Sequence, residues 1–143
     1  MSGLENIIKR FQGADRDTRL ELLLDFADRL PPLPEKHREA VAQGVNRVSE
    51  CQTPVYLFME PVNGSVQIHA DVPREAPTVR GFLSLLIKGL KGATPDEVAA
   101  MPGDLLDRLQ LSELLGMTRM QGLSAVVGRL KRMASQVNES NSK

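Results

Sequence analysis

Thiols, aromatic rings and surplus charge are all scarce in this chain. Its 143 residues contain a single cysteine, Cys51. One thiol forms no internal disulfide, and it excludes zinc sites built from two or more thiolates. Tryptophan is absent, and the aromatic residues are one tyrosine and four phenylalanines. The stacking platforms that hold single-stranded nucleic acid are therefore not expected. The 18 Lys and Arg balance 18 Asp and Glu, which leaves no cationic excess to neutralise phosphates, so no nucleic-acid partner is expected. Long apolar runs are missing too. The longest, Val79–Ile87 and Val55–Met59, fall well short of the ~20 residues that cross a bilayer. The opening MSGLENIIKRFQ has no continuous apolar segment and no small-residue cleavage site, so no secretory signal is read there. A free thiol without such a signal suits a reducing cytoplasm.

A chain of 15.7 kDa buries roughly 68–70% of its unfolded surface and needs neither metal nor disulfide to hold a core. One domain over residues 1–134 is expected, followed by a polar tail, Ser135–Lys143, read as disordered. Leu4, Ile7, Ile8 and Phe11 recur at helical spacing up to Gly13. Asp15 or Asp17 can cap a second helix with an apolar face of Leu20, Leu23, Leu24, Ala27 and Leu30, stopped by Pro31. A further helical turn is expected over His37–Val41.

Val55–Met59 and the alternating Val66, Ile68 and Ala70 predict an antiparallel hairpin across Asn63-Gly64, with a loop of four or five residues. Two strands make a marginal sheet, so about three are expected, with Val45–Val48 as the third. Pro77–Leu90 reads as a helix with Val79, Phe82, Leu83, Leu86 and Ile87 inward. Thr94-Pro95-Asp96-Glu97 is a capped helix start. Leucines from Leu105 to Leu115 continue in short helical pieces, and a last helix is expected over Arg119–Gln136. Helices packed on a small antiparallel sheet define an α+β domain.

Candidate chemistry centres on Cys51. It sits in the polar stretch Arg47-Val48-Ser49-Glu50-Cys51-Gln52-Thr53-Pro54, whereas a structural cysteine usually sits in an apolar run. A structural and a reactive thiol both remain open. Arg47 would lower the thiol pKa and Glu50 would raise it. His69, on the polar side of its strand, is the histidine to consider as a base for Cys51 in acyl transfer, although a surface role is the simpler reading. No GxxxxGK[ST] or GxGxxG spacing is present. Asp96-Glu97 and Asp104 with Asp107 read as helix-cap and solvated residues, and Met117, Met120 and Met133 as core filler.

Five segments in order resemble the SufE family of sulfur acceptors of iron–sulfur cluster assembly. Arg29-Leu30-Pro31-Pro32-Leu33-Pro34 is similar to its Arg-Leu-Pro-x-Leu element, and Glu50-Cys51-Gln52-Thr53-Pro54-Val55-Tyr56 to its Gly-Cys-Gln-Ser-x-Val-Trp loop. Arg74–Gly81 is similar to its Ser-Asp-Ala-x-Ile-Val-[Lys/Arg]-Gly helix start. Thr94–Val98 and Thr118–Leu123 resemble Thr-Pro-x-[Glu/Asp]-[Ile/Val] and Ser-Arg-x-x-Gly-Leu. The likeness runs from about Ile7 to Ala134. Glu50 for Gly, Thr53-Pro54 for Ser-x and Glu75 for Asp mark a divergent branch.

The resemblance implies a SufE/IscU-like fold and a cysteine held in a loop, sheltered in an apolar pocket that Val55–Met59 and Val79–Ile87 would wall. It implies that Cys51 accepts persulfide sulfur from a pyridoxal-phosphate (PLP) cysteine desulfurase, stimulates that enzyme and passes sulfur to a cluster scaffold. No cofactor of its own is implied, and a rhodanese-type donor is an alternative source. Gln52, Glu75, Arg80 and Arg119 would flank the loop or support the partner surface, with Arg119 favouring the thiolate. Two other readings stand beside this one: a thiol-dependent sulfurtransferase or hydrolase using Cys51 with His69, and a non-catalytic interaction module.

Overall fold

The structure, a computed structural model, describes residues 2–141. Helices α1 (Ser2–Gln12), α2 (Arg16–Asp28) and α3 (Arg38–Ala42) precede a hairpin of β1 (Tyr56–Val62) and β2 (Ser65–Asp71). Helices α4 (Pro77–Gly89), α5 (Pro95–Ala99), α6 (Leu105–Arg108) and α7 (Met117–Asn141) follow. Among the described residues the sheet has two strands, and the chain is a single α+β domain.

Helix α4 is the centre. It packs against α1, α2, β2 and α7, and is buried nearly all round, at Val79, Gly81, Phe82, Leu83, Ser84, Leu85 and Leu86. Only Ile87 of the expected inward set stays half-exposed. A helix enclosed by neighbours has no need of a polar face, which is why its pattern is broader than one stripe. A Cβ on Gly81 would fall on the Leu23 carbonyl oxygen, so the absence of a side chain lets α4 lie directly on α2.

Helix α2 is capped by Asp15, whose carboxylate accepts from Thr18 N at 2.8 Å. Its buried face is Arg19, Leu23, Phe26 and Ala27, while Leu24 is exposed. Of the expected face, Leu23 and Ala27 are buried and Leu20 and Leu30 half-buried; only Leu24 turns outward, because the consecutive Leu22, Leu23 and Leu24 mark no single side. Arg19 is buried because its guanidinium satisfies carbonyls where α1 ends. It donates to Phe11 O at 3.2 Å and Ala14 O at 3.0 Å, and pairs with Glu113 at 3.0 Å.

The hairpin turns through two residues rather than four or five. Asn63 and Gly64 take φ of 52° and 84°, the left-handed pair that matches strand twist. Pro61 continues β1 opposite Val66, whose N–H points away to Ala93 O at 2.9 Å. The proline's missing donor therefore breaks no ladder bond. The third strand does not form: Val45–Val48 contributes one bridge, Arg47 to Tyr56. Asn46, at φ 68°, turns the chain there and replaces strand pairing with its own bonds to Leu57 N and O.

Helix α7 runs past Gln136. The stretch read as a disordered tail is helical through Asn141, because Val137 packs on the core and Asn138 donates to Asp96 of α5 at 2.8 Å. Ser142 and Lys143 lie outside the described residues. Met120 and Met133 pack on the core, but Met117, the first residue of α7, is 79% exposed.

Candidate functional site: a sheltered thiol

Cys51 lies at the tip of a short loop closed at its base. Val48 N donates to Val55 O at 2.8 Å, and Cys51 N donates to Val48 O at 3.2 Å. Val48, Cys51 and Val55 point into the core, whereas Ser49, Glu50, Gln52 and Pro54 face water. The loop is thus a polar segment with three buried anchors, and the middle anchor is the thiol.

Its cover is α7. A Cβ on Gly122 would stand 3.0 Å from Cys51 Sγ and 3.3 Å from its Cα. The glycine is therefore the gap into which the cysteine fits. With 4% of its surface exposed, Cys51 is cut off from solvent, and burial pushes its thiol above the ordinary value. The Thr53 backbone N–H and the Arg47 guanidinium pull the other way and lose to burial. The resting state is a protonated, protected thiol.

The expected site residues distribute unevenly. Gln52 is exposed beside Cys51. Arg119 is exposed one turn before Gly122 on α7, but the cation that acts on the thiol is Arg47. Arg129 and Arg132 of α7 instead attract the exposed Glu50 carboxylate, whose lowered pKa owes most to its backbone and Ser49 hydrogen bonds. Glu75 is exposed in the turn before α4. Arg80 is half-buried and donates to Val72 O at 2.6 Å, tying the end of β2 to α4. With Arg38, Asp71 and Arg74 it lines a cleft of about 700 Å³ against Pro31 and Pro32. Gly122 lies within the Thr118–Leu123 segment, whose motif by itself implies no role for it. Its signal was a glycine inside a helical pattern, which marks a close approach as readily as a weak point.

His69 is not assembled with Cys51. Its Nε2 lies 3.2 Å from Glu60 Oε1, its ring tilts against His37, and no hydrogen bond joins it to the thiol among the described residues. Burial lowers its pKa more than the Glu60 charge raises it. Glu60 is held down to about 2, first by its bond from Lys36 and then by that from His37.

A small α+β domain that shelters one cysteine in a loop beneath a helix is the class that fold and site define. Residues 5–134 match the family model described as SufE, Fe-S metabolism associated domain. The chain belongs to the SufE family, and its role lies in iron–sulfur metabolism. It is 35% identical over 130 residues to an uncharacterized SufE-like protein of Mycobacterium tuberculosis, covering 90% of this chain and 89% of the relative. An uncharacterized SufE-like protein of Synechocystis is 31% identical over 140 residues, covering 96% and 84%. The solution structure of a hypothetical protein from Thermus thermophilus matches with a TM-score of 0.80 at 32% identity, covering 94% of each chain. No helix among the described residues is long and apolar enough to cross a membrane.

Proposed function

We propose that Cys51 accepts sulfur from the persulfide of a PLP-dependent cysteine desulfurase, stimulates that enzyme and delivers the sulfur to an iron–sulfur scaffold in the cytoplasm. The observation that carries this reading is the thiol itself, buried beneath Gly122 and held protonated at the tip of a loop with a polar rim. Such a thiol is idle until a partner draws the loop outward, so sulfur moves only inside the complex. Once exposed, Cys51 loses its proton and its thiolate attacks the terminal sulfur of the donor persulfide. The new S–S bond forms as the donor S–S bond breaks, and the donor cysteine leaves as a thiolate that recovers a proton. There is no net oxidation, and the transfer itself needs no cofactor on this chain. A single cysteine also leaves no second thiol to expel the sulfur as an internal disulfide.

Incubation with cysteine and the PLP-loaded desulfurase should add about 32 Da, one sulfur atom, to the intact chain. The Cys51→Ser chain should take up none. No adduct with the wild-type chain, or an adduct that survives Cys51→Ser, overturns the proposal. Full desulfurase stimulation by Cys51→Ser would instead mark an interaction module. A rhodanese-type donor run in parallel identifies the source.

A further inference from the structure

Two imidazoles and a carboxylate converge on the outer face of the hairpin. Phe58 stands opposite His69 in the ladder, and Glu60 lies two residues further along β1, so all three share one face. The turn Glu35–His37 crosses this face, and His37 stacks on Phe58 with ring centroids 4.2 Å apart. His37 Nε2 then lies 2.8 Å, and His69 Nε2 3.2 Å, from the same oxygen, Glu60 Oε1.

A carboxylate oxygen only accepts, so in this state both Nε2 atoms carry hydrogen. Two ring donors on one oxygen form a convergence that one cation could replace. The three ligand atoms lie within 4.8 Å of one another. In a tetrahedral site with bonds of about 2.0–2.2 Å, neighbouring ligand atoms stand about 3.3 Å apart. Both imidazole–carboxylate spacings are within about 0.5 Å of that. The His37 and His69 side chains are 16% and 13% exposed and that of Glu60 is 25% exposed. The side chains are thus held by surrounding structure yet keep some exposure.

We propose that His37, Glu60 and His69 bind one first-row divalent transition cation. The set offers two nitrogens and one oxygen without a thiolate, and three protein ligands leave a fourth position for water. On binding, each ring presents its Nε2 lone pair to the metal and keeps one proton on Nδ1, and any second ring proton passes to water. Lys36 Nζ sits on the other oxygen, Glu60 Oε2, at 2.6 Å, and its side chain is 60% exposed. It competes with the cation for the carboxylate charge, and its exposed stem can swing into water. A bound ion would fasten the 35–37 turn to both strands at once.

The test is calorimetric titration of zinc into the chelator-stripped full-length Cys51→Ser chain, which removes the thiol as a competing ligand. One zinc per chain and a higher melting temperature are expected. Glu60→Gln and His69→Gln should each weaken binding by at least about tenfold. Lys36→Met, at an exposed position, should remain folded and bind more tightly. Cobalt in the wild-type chain should show ligand-field bands without a thiolate charge-transfer band. Absence of zinc binding in the Cys51→Ser chain overturns the proposal. Identical binding by Glu60→Gln, or loss of binding in a folded Lys36→Met chain, overturns it equally.

Discussion

The Cys51 loop and the Glu60 cluster handle an ionisable group in opposite ways. Cys51 is enclosed by apolar neighbours and α7, and burial outweighs the Arg47 charge and the Thr53 N–H, so the neutral thiol is favoured. Glu60 receives Lys36, His37 and His69 around one carboxylate, and the charged form is favoured down to about 2. The deciding quantity is how many donors reach the group against how much water it has lost. Both regions hang on the same hairpin, one at its entrance and the other on its outer face.

The largest effect expected concerns reactivity. At neutral pH, native Cys51 should react with iodoacetamide more slowly than in denaturant by on the order of tenfold or more, since access and thiolate fraction are both reduced. Equal rates would mean that the shelter does not exist. Gly122→Val should break that side of the comparison. Its branched side chain cannot share space with Sγ, so alkylation should accelerate while urea denaturation shows a loss of about 1–3 kcal/mol. Glu60→Gln should leave alkylation unchanged and cost about 1 kcal/mol or less, because its ion pairs are partly exposed. A double variant whose losses add would show that the two regions are independent.

The smallest effects lie on opposite limbs of the pH–stability curve. A thiol raised on folding contributes stability fully present below its unfolded value, about 8.5, and lost as pH rises through the folded one. A carboxylate lowered on folding contributes stability present above its unfolded value, about 4.3, and lost as pH falls toward the folded one. In metal-free protein, Cys51→Ser should therefore flatten the alkaline limb, and Glu60→Gln the acid limb. Thermal melts across pH check both, and a variant that flattens the other limb would reverse the assignment.

Much of the architecture was legible because its signals are local. The Thr94 capping box forms as read, with Thr94 and Glu97 bonding each other's backbone. The α1 stripe of Leu4, Ile7, Ile8 and Phe11 is buried as spaced. Where local signals are ambiguous, structure and expectation part: the run Leu22–Leu24 marks no single side, so Leu24 faces outward, and a left-handed Asn46 breaks a strand that its valines favour. The outer-face cluster is not legible from neighbours along the chain. A two-residue Asn63-Gly64 turn sets the register that puts His69 opposite Phe58, but nothing in the local pattern announces that His37 will lie across them.

The sequence by itself determined the family, the class of fold and the residue around which its chemistry is proposed. Motif order, helix caps and a count of one cysteine are all properties of neighbours along the chain. Only the tertiary structure decided the state of that cysteine. Its pKa and access depend on Gly122, which reaches Sγ from a distant helix, and burial is a sum over everything that packs around an atom. The same holds for Glu60, whose three cationic or imidazole neighbours come from a turn and a facing strand.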